Sequence, residues 1–247
     1  LRKIFIVKAL LIVFVFAIVI GGTFPVRQAA VENEKLNHYD TQIEQNLELA
    51  RVRYNRLLAN PGANPDDLLN ARSELATALW AKQEFQEAVQ LYTMQMAATW
   101  GLKPNAYNEK WVNACRQLAD IHRDANQMEA ALICYKSVYD HDSKYLPADD
   151  LRVVRDLNNL AMAYYMRGTG FEEKDKRHKD FAQAETYLKQ VLTLLEKAGL
   201  GKSSRAATAY WNLYLVVRDQ DRALDAESYR KLAEGLDKSM NRLCREP

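Results

Sequence analysis

Four segments of this 247-residue chain carry the same pattern of side chains. A Leu followed by a marker residue stands at Leu75-Ala76, Leu118-Ala119, Leu160-Ala161 and Leu213-Tyr214, and the marker recurs after 43, 42 and 53 residues. In repeats 1, 2 and 4 a small residue follows the marker by 12 positions, at Ala88, Ala131 and Ala226; in repeat 3, which carries an 11-residue insertion, its place falls to Ala184. Four residues later come Tyr92, Tyr135, Leu188 and Arg230. Self-similarity at such a period marks stacked helical hairpins, none of which can bury its apolar face alone. A short turn brings the chain back past the marker after about a dozen residues, and small side chains at both levels let the two helices cross closely.

The pattern resembles the tetratricopeptide repeat (TPR) family. Repeat 3 carries the likeness most fully: Leu157-Asn158-Asn159-Leu160-Ala161 with Tyr164, then Phe181-Ala182-Gln183-Ala184-Glu185 with Tyr187, then Glu196-Lys197-Ala198-Gly199-Leu200 look like the long 42-residue variant of kinesin light chains. The resemblance spans Asp66 to Met240. It implies an α-solenoid of about four hairpins in which the first helix of each repeat lines a concave groove for a partner segment. Asn side chains would face that groove, and the matching positions are Asn158, Asn159 and Asn212, with Arg116 and Gln117 at the equivalent places of repeat 2. An amide offers both a donor and an acceptor, so it can pair with any peptide backbone. One turn further along come Arg123, Tyr165, Met166 and Arg218, which could read side chains. Two departures stand out: Tyr214 where a small residue is expected, and the charged insertion Gly170 to Asp180, a solvated loop or helix end, or else a docking loop.

Apolar periodicity and Pro/Gly punctuation predict helices throughout. A capping helix over 29–59 carries Leu36, Ile43, Leu47, Ala50, Tyr54 and Leu57 on one face. Helical pairs follow at 66–82 with 84–99, 108–125 with 127–140, 148–168 with 180–198, and 203–219 with 222–243.

Leu1-Arg2-Lys3 precedes an apolar stretch from Ile4 to Phe24 that is interrupted only by Lys8. A span needs about 20 apolar residues, so this one crosses a bilayer if Lys8 snorkels. A cleaved signal peptide also fits the basic start and the short apolar run. The basic side of the stretch is its N-terminal side, which makes the expected topology a single-pass anchor with a cytoplasmic N-terminus and the repeats on the extracytoplasmic (periplasmic or extracellular) side. The expected organisation is therefore an all-α chain with a transmembrane anchor over 1–28, an amphipathic capping segment over 29–65 and a TPR-like solenoid over 66–247.

Charge is balanced, with 34 Lys and Arg against 32 Asp and Glu, so the basic footprint that phosphate neutralisation requires is absent and nucleic acid is not an expected partner. Catalysis needs a nucleophile with a base in reach, or ligands at metal spacing. His38, His122, His141 and His178 stand alone, Asp140-His141-Asp142 reads as a helix terminus, and Gly168-Thr169-Gly170 as a helix stop. No enzyme activity, metal, cofactor or small-molecule substrate is expected. Cys115 and Cys134 fall on facing helices of repeat 2 and are either a disulfide or two buried thiols. The function expected from these readings is a membrane-anchored scaffold that holds a protein partner in its groove, in or beside a membrane complex, with lipid met by residues 4–24. The alternative is a constitutive subunit of such a complex, held by its membrane helix and convex face.

Overall fold

The computed structural model describes residues 24–103 and 105–237, and among these residues nine helices form. They are α1 (Phe24–Leu58), α2 (Pro65–Ala81), α3 (Phe85–Trp100), α4 (Glu109–Asp124), α5 (Met128–Tyr145), α6 (Leu151–Thr169), α7 (Lys174–Lys197), α8 (Ser204–Arg218) and α9 (Ala223–Leu236). Two compact units result, one ending at Glu84 and the other beginning at Phe85.

The first unit is a hairpin of α1 and α2. Arg53 meets Glu74 at 2.6 Å and Lys82 meets Glu44 at 2.9 Å, so the two helices run antiparallel. Leu47, Ala50 and Tyr54 form the buried stripe of α1, and the Arg72 guanidinium lies 6.0 Å from the centre of the Tyr54 ring. The apolar residues 4–23 lie outside the described residues. Among the described residues no helix is long and apolar enough to cross a membrane, which corrects the expected single-pass topology with exported repeats. Even α1, at 35 residues the longest, carries Arg27, Glu32, Glu34, Lys35, Asp40, Glu44 and Glu48, and charges at that density are not tolerated in a hydrocarbon core.

In the second unit α3 packs on α4, and the pairs α4/α5, α6/α7 and α8/α9 form successive hairpins. The first helix of each of these pairs is N-capped by a side chain: Asn108 accepts from the Trp111 N–H, Asp150 from Arg152 and Ser203 from Ala206, and in the first unit Asn64 caps α2 by accepting from Asp66. Such caps satisfy amides that a helix start leaves unpaired. The turns inside the hairpins use backbone instead. Gln83, Asn126 and Asp221 each stand five residues before the small residue of their repeat and take φ values of 66°, 60° and 62°. The next N–H in each case closes onto a carbonyl five residues back, Glu84 onto Leu79, Gln127 onto His122 and Arg222 onto Val217, the Schellman arrangement. Gly199, at φ 72°, ends α7 in the same way through Leu200 and Leu195.

The core of this unit is continuous. Trp111, Val112, Cys115 and Val138 join α4 to α5; Ala119, Ala131, Leu132, Tyr135, Leu160 and Ala163 carry it on to α6; Ala161, Phe181, Ala184, Leu188, Leu213 and Val216 link α6, α7 and α8. The marker and facing alanines of repeats 2 and 3 are all fully buried. Two boundaries and one side-chain placement differ from the sequence reading. Helix α5 continues to Tyr145, which puts Asp140, His141 and Asp142 inside a helix and not at its end. Most of the insertion is helical, because α7 begins at Lys174; Asp180 is buried there, held by the Arg167 guanidinium at 2.7 and 2.8 Å. Tyr214 does not enter the fourth crossing: its ring rests on Trp211 at 5.0 Å, and Leu213, Val216 and Val217 fill the interior.

Candidate protein-binding face

Helices α4, α6 and α8 are the first helices of consecutive hairpins, and two of them touch through side chains that the sequence singled out. The Asn212 amide nitrogen donates to Asn158 Oδ1 at 3.0 Å, and the Tyr165 hydroxyl donates to Asp219 Oδ2 at 2.7 Å. Each bond joins residues 54 apart, and the two lie seven residues apart along both segments, Asp219 being the C-cap of α8. Helices α6 and α8 are therefore parallel, with one register holding over two turns. Burial, followed by the bond to Asp219, pushes the Tyr165 hydroxyl up to about 12, so it remains a neutral donor. Its ring packs 5.5 Å from that of Phe181.

Asn159 and Gln117 are half-buried, and among the described residues neither amide has a partner. Arg218 is exposed, with its Nε 2.7 Å from Asp219 and its guanidinium 5.5 Å over the Tyr214 ring. Trp211, Tyr214 and Arg218 thus form a stripe along α8. The sequence reading missed the Tyr214 ring because it assigned that residue to the crossing; its spacing of three from Trp211, with Arg218 four further on, was the available signal.

Two other residues expected in the groove are held from within. Arg116 directs Nε and one terminal nitrogen at Asp156, at 3.0 and 3.1 Å, and the same fork lies 3.5 Å from Asp142. Only 13% of its side chain is exposed, so it links α4 to α5 and α6 and is not presented to a partner. Arg123 binds Asp120 at 3.0 Å, Asp124 at 2.9 Å and the Tyr135 hydroxyl at 3.1 Å. Its residual exposure of 32% leaves it a rim cation. Cys115 and Cys134 are brought together on α4 and α5, and both are free. The Cys115 thiol sits 3.6 Å from the Cys134 carbonyl, and its contact with Cys134 together with burial keeps it well above the usual thiol range. That makes it an inert core thiol. Among the described residues no His, Cys, Asp and Glu group is arranged to hold a metal ion.

No family model matches the chain, and no curated protein matches it by sequence. Solved structures do match. Two crystal structures of kinesin light chain nearly identical TPR-like repeats from Podosopora anserina superpose with TM-scores of 0.69 and 0.66, at 17% and 18% identity. The first covers 85% of this chain and 94% of its own, the second 87% and 95%. BtubC (BKLC) from P. vanneervenii superposes with a TM-score of 0.64 at 18% identity, covering 98% of this chain and 92% of its own. At these identities the likeness is one of fold: the chain is a TPR-like α-solenoid.

Proposed function

We propose that this chain is a protein-interaction scaffold and that the face of α4, α6 and α8 holds an extended segment of a protein partner. The observation that carries the reading is the row of amides on that face. Among the described residues Gln117 and Asn159 have no partner, and Asn158 and Asn212 use one bond on each other, which leaves the Asn158 amide N–H groups and the Asn212 carbonyl without a bond to another described residue. Donors and acceptors so arranged suit the alternating N–H and C=O groups of an extended chain. The rings of Trp211 and Tyr214 beside them supply apolar contact area, and Arg218 supplies a cation at the rim. The TPR-like fold of the kinesin light chain structures supports the same reading. No catalytic step is assigned to the chain.

The cleanest test replaces only the unengaged amides. A Gln117→Ala, Asn159→Ala double variant removes no internal hydrogen bond and should unfold at the wild-type denaturant midpoint. It should nevertheless lose partners captured from a lysate of the source cells, because each lost bond weakens binding by about 0.5 to 1.5 kcal/mol. Identical captured sets for the two proteins would remove the face from consideration. Arg116→Ala is unsuitable for this purpose, since it strands two buried carboxylates.

A further inference from the structure

A crevice of about 540 Å³ opens where the end of α3 and the turn after it meet the start of α4 and the last two turns of α5. Its wall is a chain of rings. Trp100 stands edge-on to Trp111 at 5.1 Å, Trp111 lies 5.2 Å from His141, and His141 lies 4.8 Å from Tyr145. Trp100 is 66% exposed, an unusual position for a large ring that could have been buried. Two cations stand at the opening. The Lys144 ammonium lies 4.9 Å over the Tyr145 ring, and Lys103 also lines the crevice; among the described residues neither is paired with a carboxylate. The acidic group of the lining, Asp140, is held by Lys136 at 2.5 Å. Burial, followed by the charge of Lys144, lowers the pKa of His141, so the imidazole is neutral at pH 7.

The fold alone does not require this lining. One hairpin further along, the corresponding crevice between α5, α6 and α7 is lined by Tyr139, Val153, Leu157, Gln190, Thr193 and Leu194, measures about 290 Å³, and presents no charged side chain. The stacking of repeats creates a cleft at both places, but only the first combines a ring wall with two unpaired ammonium groups.

We propose that the crevice at α3, α4 and α5 binds a small planar aromatic anion, an aryl carboxylate or aryl sulfonate. The volume falls in the range of small-molecule sites. Rings stack on or meet a flat aromatic guest edge-on. Lys103 and Lys144 pair with its acidic group and repel a cationic guest of the same shape. Neither α3 nor α5 belongs to the proposed protein-binding face, so this site stands independently of that reading.

Three isosteric probes test it on the whole chain: 2-naphthoate, the neutral 2-naphthamide and the cationic 2-naphthamidinium, followed by calorimetry and by the indole N–H resonances in NMR. The anion should bind best and should shift the Trp100 and Trp111 signals. A Lys103→Gln, Lys144→Gln variant, altered only at exposed side chains, should weaken 2-naphthoate by about three- to tenfold and leave the neutral probe unchanged. Trp100→Ala should weaken all three probes, whereas Gln190→Ala in the neighbouring crevice should change none. Equal affinity for the three probes, full affinity in the double lysine variant, shifts confined to other Trp residues, or no binding at all would each overturn the site.

Discussion

Asp142 is the residue whose surroundings are least balanced. It is fully buried, and its Oδ2 accepts no hydrogen bond. Around it stand Arg116 at 3.5 Å, His141 Nδ1 at 3.4 Å and the Asp156 carboxyl, which already holds the Arg116 fork and has Arg155 at 3.3 Å. Burial first, and then the proton Asp142 can donate to Asp156, raise its pKa well above the ordinary carboxylate range. A folded-state pKa above the unfolded 3.8 stabilises the fold fully at pH values below 3.8, and the contribution is lost as pH rises through the folded value. This contribution pulls the denaturant midpoint down as pH is raised from the acidic side toward neutrality, against the opposite pull of Asp150, Glu185 and Glu227, whose carboxyls are held low. Asp142→Asn, which keeps a donor toward Asp156 and cannot ionise, should remove that downward pull; an equal slope in both proteins would show that Asp142 is not its source. None of this was legible in the sequence. Asp140-His141-Asp142 reads as a helix end when α5 is stopped at 140, and the partner carboxylate comes from a different helix, 14 residues away across a turn.

At the scale of elements, the crossing of α6 and α7 leaves no room for a Cβ at Gly168. A Cβ built on Gly168 would lie 2.7 and 2.8 Å from the Phe181 ring, which is 1% exposed and has nowhere to move. Gly168→Ala should cost about 1 to 3 kcal/mol by chemical denaturation. The same substitution at Gly235 on α9, where an added Cβ meets nothing within 4 Å, should stabilise by about 0.4 to 1 kcal/mol. Ala161→Leu, inside the cluster that contains Ala184 and Phe181, should overpack the crossing by a similar 1 to 3 kcal/mol, and an unchanged midpoint would show the side chain escaping the interface. The pairs of small residues 12 apart were visible in the sequence because a repeat restates them. Gly168 was not: a Gly near a helix end serves equally as a stop or as a close approach, and only the position of Phe181 decides between them. Tyr214 misled for the converse reason, since one side chain had to be assigned to a face that the helix turned elsewhere.

For the molecule as a whole, helix positions, turn positions and the pairs α4/α5, α6/α7 and α8/α9 could be read from one chain because each of these hairpins repeats the same local physics; α2, expected to pair with α3, packs on α1. The side-chain network could not. Whether Arg116 faces a partner or a buried carboxylate depends on Asp156 and Asp142, which the repeat pattern treats as ordinary surface positions. The Asn212–Asn158 and Tyr165–Asp219 bonds have a mechanical consequence. Two ties seven residues apart resist rotation of one helix against the other, whereas a lone tie acts as a pivot. Pulled from its ends in an optical trap, the chain should release α6 through α9 in a single rip, and Asn158→Ala with Tyr165→Phe should split that rip into two smaller steps. A ligand seated across α6 and α8 would then find a stiff platform, and the Arg116 fork on Asp156 fastens α4 to the same platform at one further point.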